Sequence, residues 1–193
     1  MTRIGSPLIP FPPPLANSPA SRFSIRVQPL EPPDSHFLNA AIGWLELGLR
    51  AEARAELNQI SGEHQRHPDV LEARWAISAD ERRWDEALDV ARKLLLRAPD
   101  RPSGWLHHAY ALRRTPEGGL EKAWAALKPA AEKFPKEALI PYNLSCYACQ
   151  LQQLEEARVW LKRAIKIGDK ERIKQQALSD TDLQPLWDEI RQL

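Results

Sequence analysis

The chain is poor in the residues that make crosslinks, sheets or catalytic centres. Its only two cysteines, Cys146 and Cys149, cannot frame a disulfide scaffold and suit a reducing compartment. Neither sign of charge dominates: 27 Lys and Arg stand against 26 Asp and Glu, a formal +1, so no field draws nucleic acid or anionic membrane to the whole protein. β-Branched residues are sparse beside Ala, Leu, Glu, Arg and Lys, and a sheet is not expected. Prolines leave the first 33 residues without the uninterrupted apolar core of a signal peptide, so neither secretion nor a membrane span is expected and the cytoplasm is the expected location. There is no Gly-rich phosphate loop, no nucleophile elbow and no HExxH. Carboxylates fall as helix-surface pairs such as Glu155 and Glu156, not as acids in an apolar setting. No enzyme activity, cofactor or metal is expected.

What is present is a repeat. Ala53, Ala87, Ala123 and Ala157 lie in the similar phrases RAEARAEL, RWDEALDV, LEKAWAAL and LEEARVWL, at spacings 87−53 = 34, 123−87 = 36 and 157−123 = 34. A period of this length marks stacked helical hairpins, and a small residue recurs where two helices approach closely. Pro99 and Pro135 end the second and third units, Pro68 ends the first, and Gly168 with Asp169 supplies the stop and next cap in the fourth. Upstream of each alanine runs a second helical stripe: Phe37, Ala40, Ala41 and Trp44; Leu71, Arg74, Trp75 and Ser78; Trp105, His108, Ala109 and Leu112; Pro141, Leu144, Ser145 and Ala148. Gly118 and Gly119 read as an inter-helix turn that accounts for the longer third unit.

The ends differ from the repeats. Residues 1–33 are proline-rich and predict a disordered arm, with Pro7 to Pro10 matching a PxxP pattern; another reading makes it translated leader ahead of a start at Val27. RFSIRV alternates and could lie extended on the first repeat. Residues 170–193 predict a pair of capping helices, broken at Ser179-Asp180-Thr181-Asp182, with Asp182 as the cap of the last helix and Pro185 in its first turn. Ile173, Ala177, Leu183, Leu186 and Trp187 are expected to cover the final repeat, whose apolar face would otherwise be exposed.

Candidate chemistry has plain structural readings. Cys146 and Cys149 form a CxxC in mid-helix, where a thioredoxin-like site would need a strand before it and zinc would need two further ligands; packing is the expected role. His64 and His67 suit a helix C-terminus and lack a third ligand, and of the adjacent His107 and His108 one is expected to pack and one to be wet. Trp84, Trp124 and Trp160 are expected to staple the second helices, partly exposed.

These stripes and stops resemble the tetratricopeptide repeat (TPR) family from about Asp34 to Asp169, and the phrases DSHFLNAAIGWLELG and IPYNLSCYACQLQQLEEA are similar to small bacterial TPR proteins. Two positions depart from the family pattern: Trp75 stands where a small residue is usual, and Arg82 where an inter-helix Gly is usual. The resemblance implies an all-α fold, a right-handed superhelical solenoid of about four TPR hairpins (34–68, 69–101, 102–137, 138–169) followed by the capping helices. It also implies ligand-facing positions on the first helix of each unit: Leu38, Ile42 and Leu45; Glu72; Leu106, Tyr110 and Arg113; Tyr142, Cys146 and Gln150. That wall runs from apolar through acidic and basic to aromatic, suiting a segment of mixed charge held by apolar anchors. TPR domains that clamp the acidic termini of heat-shock chaperones use Lys and Asn where this chain has Leu38 and Ile42, so that ligand class is not implied. The expected function is a non-enzymatic adaptor or scaffold binding a peptide or helix of a partner protein, with no nucleic-acid or membrane partner, as a monomer or weak homo-oligomer. The alternatives are a secretion-type TPR chaperone and a self-associating structural solenoid.

Overall fold

A computed structural model describes residues 28–192, and every regular element among them is helical. The chain forms two compact units, divided at Ala111 and Leu112. The arm expectation falls mostly on residues 1–27, outside the described residues; the residues just after them are engaged, with Leu30 packed on the first core and the Gln28 carbonyl bonded to His67 Nε2 at 2.8 Å.

In the first unit α1 (Asp34–Glu46) pairs with α2 (Arg50–Gln59), and α3 (Pro68–Asp80) pairs with α4 (Trp84–Arg97); α5 (Pro102–Leu112) follows. Leu38, Ala41, Ala53, Leu57, Ile60, Val70, Ala73 and Ile77 make its core. Asp34 locks the entry, its carboxylate taking the Ser61 backbone N–H at 2.9 Å and His64 Nδ1 at 2.6 Å. The Ser61 hydroxyl, which also donates to it, and then these two bonds hold its carboxyl down at about 2. His67 does not end a helix but begins one: its Nδ1 accepts from the Asp69 N–H, and Pro68 occupies the first position of α3, where a missing N–H costs nothing.

In the second unit α6 (Leu120–Leu127) and α7 (Ala130–Lys133) are pieces of one interrupted helix, because Pro129 has no N–H to give and its ring clashes with the turn before it. Then come α8 (Leu139–Gln150), α9 (Leu154–Ile167), α10 (Lys170–Ser179), a 3-10 turn (Thr181–Leu186) and α11 (Trp187–Gln192). Gly168 ends α9 for want of space: a Cβ there would stand 2.7 Å from Ile173 Cδ1 and 3.0 Å from Ala138 Cβ. Asp169 then caps α10 by accepting the Arg172 N–H at 2.8 Å. Gly118 is required more strictly, since a Cβ would lie 1.7 Å from the Leu112 carbonyl oxygen.

The four repeated alanines are all at 0% exposure. At Ala157, where α9 meets α8, a leucine has no space to fill. Ala157→Leu is expected to cost about 1–3 kcal/mol of unfolding free energy, whereas Glu155→Ala is expected to be near neutral. The Glu155 side chain is 92% exposed. Coincident urea midpoints for Ala157→Leu and wild type would show that the contact is not tight.

Three hairpin turns share one hydrogen-bond pattern. The residue at the tip is left-handed, with Gly48 at φ 74, Arg82 at φ 58 and Gln152 at φ 63. The next N–H closes on the preceding helix in each, Leu49 to Trp44 O, Arg83 to Ser78 O and Gln153 to Ala148 O. Arg82 and Gln152 thus make the same turn as Gly48, at the steric cost a Cβ carries there. Gln152→Gly is therefore expected to raise stability by about 0.5–1 kcal/mol. An unchanged or lowered denaturation midpoint would mean that the Gln152 side chain itself supports the turn.

Candidate functional site

In the second unit a set of polar contacts gathers around the buried side chains of α8. Residues Ile140 through Cys149 of α8 are all buried, because α9 and the α6–α7 segment pack on the helix and the 3-10 turn closes over what remains. The turn is anchored by Leu183 and Leu186, at 0% and 1% exposure, and carries two carboxylates to the helix. Asp182 Oδ2 accepts from Arg113 Nη1 at 2.8 Å, with the two side chains only 12% and 10% exposed. Asp180 Oδ2 accepts from the Tyr142 hydroxyl at 3.1 Å and from Cys146 Sγ at 3.5 Å. Gln150 Nε2 donates to the Asp182 carbonyl at 3.1 Å, and the Arg113 guanidinium also sits 5.1 Å from the Tyr147 ring centroid.

Four residues assigned to ligand contact thus converge: Arg113, Tyr142, Cys146 and Gln150 all meet the chain's own Asp180-Thr181-Asp182. The expected cap is corrected by two residues. Asp180, not Asp182, caps, its Oδ1 accepting the Asp182 N–H at 3.0 Å, because the Asp182 carboxylate is drawn to Arg113. In the sequence the acidic cluster reads only as a helix break; its two-residue spacing, in a chain whose third unit carries an arginine on the ligand-facing stripe, is the signal that could have found it.

The electrostatics follow from this crowding. Burial, then the nearby Asp180 and Asp182, push the Cys146 thiol far up and the Cys149 thiol to about 11. Burial and the same carboxylates also raise the Tyr142 hydroxyl. For Arg113 burial works against the charge, and Asp182 outweighs it. Both thiols therefore stay protonated at neutral pH and are poor nucleophiles and poor metal ligands.

The other predicted positions lie in the first unit with different partners. Leu38 is in the core, and Ile42 and Leu45 pack against it. Glu72 accepts from the Ser103 hydroxyl at 2.7 Å and from Arg101 Nη1 at 3.5 Å, with burial raising its carboxyl. Arg101 also bonds Asp69. Leu106 is half-buried. Tyr110 presents its ring edge-on to Trp75 and Trp84, at centroid distances of 6.0 and 5.9 Å. Trp75, too large for the usual small position, is accommodated by His107, which stacks on it at 3.7 Å and 10°. His107 is the packed member of the histidine pair; among the described residues its Nε2 and the Trp75 Nε1 have no hydrogen-bond partner, and burial lowers its pKa to about 3. Trp160 is buried, not partly exposed, and donates to Glu156 at 2.8 Å, so Glu156 is less of a free surface charge than its neighbour.

Paired helices, left-handed hairpin tips and buried alanines at the repeat period define an all-α helical-hairpin repeat protein with the TPR fold. No protein-family model and no curated protein matches the chain. Among solved structures, a thermophilic TPR protein of Thermus thermophilus is similar at TM-score 0.64 and 19% identity, over 83% of this chain and 100% of its own. Two crystal structures of MamA are similar at TM-scores 0.60 and 0.59, with 15% and 16% identity, over 82% and 79% of this chain and 86% and 88% of theirs. At these identities the likeness is one of fold.

Proposed function

We propose that the protein is a non-enzymatic TPR scaffold that binds a segment of another protein. One observation carries the reading: at α8, side chains assigned to ligand contact already grip a short acidic chain segment, through Arg113, Tyr142 and Gln150. A surface that holds such a segment in cis has the chemistry to hold one in trans. The groups that would otherwise suggest catalysis are committed elsewhere, with both thiols protonated, His107 neutral under Trp75, and Glu72 tied to Ser103 and Arg101. Among the described residues no helix is long and apolar enough to cross a membrane. The cytoplasm, where buried thiols remain reduced, is the compartment we assign.

The partly exposed aromatic Tyr110 is the anchor offered by the first unit, and Gln150 the exposed polar contact of the second. Once a partner segment is identified by crosslinking, Tyr110→Ala is expected to weaken its binding by about 1 kcal/mol or more, and Lys162→Ala, away from these positions, to change little. Calorimetry decides it: the reading fails if Tyr110→Ala and Gln150→Ala bind normally while Lys162→Ala is damaged. Light scattering that finds a concentration-independent monomer removes the self-associating alternative.

A further inference from the structure

The segment from Asp180 to Leu186 does more than a cap requires. A cap needs apolar cover, which Leu183, Leu186 and Ile190 supply, at 0%, 1% and 1% exposure. Neither carboxylate adds to that cover. Instead both are aimed at α8 and Arg113, at positions where TPR folds take ligands, and Asp180 presses against a tyrosine hydroxyl and a thiol. A buried ion pair of this kind is weak evidence for stability, because desolvating both charges offsets much of their attraction. What it does confer is selectivity, since once Asp182 leaves, Arg113 calls for another carboxylate.

We propose that residues 180–192 form an autoinhibitory latch, and that the face they cover binds an acidic partner segment carrying two carboxylates two residues apart followed by leucine. This deepens the scaffold reading and rests on it. The occupant is argued from charge and shape: Arg113 for one carboxylate, Tyr142 for the other, Gln150 for the backbone carbonyl beside them and the cleft now filled by Leu183 for the apolar residue. A ligand of this pattern exchanges like for like. The tethered latch competes at an effective concentration on the order of millimolar, so a partner displaces it only by adding contacts of its own.

The latch must open without the rest of the unit unfolding. In the wild-type full chain, amides of residues 181–192 are expected to exchange at least about tenfold faster than those of the central turns of α8 and α9. Equal rates would make the segment part of one cooperative core and overturn the proposal. Cys146 and Cys149, the chain's only cysteines, give a second readout from beneath the latch. In the double variant L183A/L186A, which loosens the apolar anchors and leaves both carboxylates beside the thiols, labelling by a thiol reagent is expected to speed up by about tenfold or more. An octapeptide of the sequence SDTDLQPL, that of residues 179–186, should restore protection, and the same peptide with both aspartates changed to asparagine should not. Wild-type labelling rates in the variant, or equal protection by the two peptides, would sink the latch. Should the double variant fail to fold, hydrogen exchange on the wild type still decides. The scaffold reading fails separately, on the calorimetry of Tyr110→Ala and Gln150→Ala.

Discussion

A chain ended after Ser179 is expected to melt well below the full-length protein and to self-associate. The deleted residues include Leu183, Leu186 and Ile190, which are almost wholly buried. Each such side chain contributes about 1.5–3 kcal/mol by leaving water. Their removal uncovers the faces of α8, α9 and α10 on which the 3-10 turn packs, and that of α10 under α11. It also strands Arg113, whose partner Asp182 is lost. The Trp187 indole, which donates to the Ala177 carbonyl at 2.9 Å, goes as well, so α10 loses the strap across its C-terminal end. An exposed apolar surface of this kind associates. Sedimentation and thermal melting of the truncated chain test it: a monomer with an unchanged melting temperature would mean that the terminal segment contributes no cover. Asp182→Asn is the informative partner experiment, because it removes the charge and leaves the apolar cover in place. It is expected to be destabilised without associating.

Stability should also fall in mild acid, chiefly through His107. An unfolded histidine takes its proton near 6.5, while His107, buried against Trp75, stays neutral down to about 3. Between those values the unfolded chain binds the extra proton, so stability rises with pH and is lost as pH falls from about 6.5 toward about 3, by up to about 1.4 kcal/mol per pH unit. Above about 6.5 the group contributes no pH dependence. His108, also lowered by burial, adds a loss of the same sign. Asp34 acts later: its stabilisation is present above 3.8 and is lost only as pH falls through about 2. Glu72, raised by burial, acts in the opposite sense. His107→Phe isolates the effect, since a phenyl ring keeps the stack and cannot charge. The variant is expected within about 1 kcal/mol of wild type at neutral pH and increasingly more stable than it below about pH 6. Urea midpoints from neutral to mildly acidic pH that run parallel for the two proteins would show that His107 is solvated.

The repeat is legible because small-residue spacing is a local record of helix approach. Ala53, Ala87, Ala123 and Ala157 lie at zero exposure, and the turn at Gly118 and Gly119 is one that a Cβ at Gly118 could not enter. The break at Pro129 is just as local yet easily read through, since the phrase LKPAAEKF otherwise continues a helical pattern. At Trp75 and Arg82 the departures from the family pattern are visible, but not their resolution. One needs a histidine from α5 to stack on it, the other a left-handed backbone.

The candidate site is harder to read. The family resemblance implies Arg113, Tyr142, Cys146 and Gln150, but not that a stretch more than thirty residues after the tyrosine supplies their partners. Hydrophobic periodicity and helix stops are set by neighbours three or four residues away, so the sequence alone determined that this protein is an all-α hairpin repeat, with its small contacts at the alanines. Which charge meets which depends on chain closure over distances at which the local pattern carries no information. Only the tertiary structure could place Asp180 and Asp182 against α8, set His107 under Trp75, and make an apparent helix break the partner of Arg113 and Tyr142.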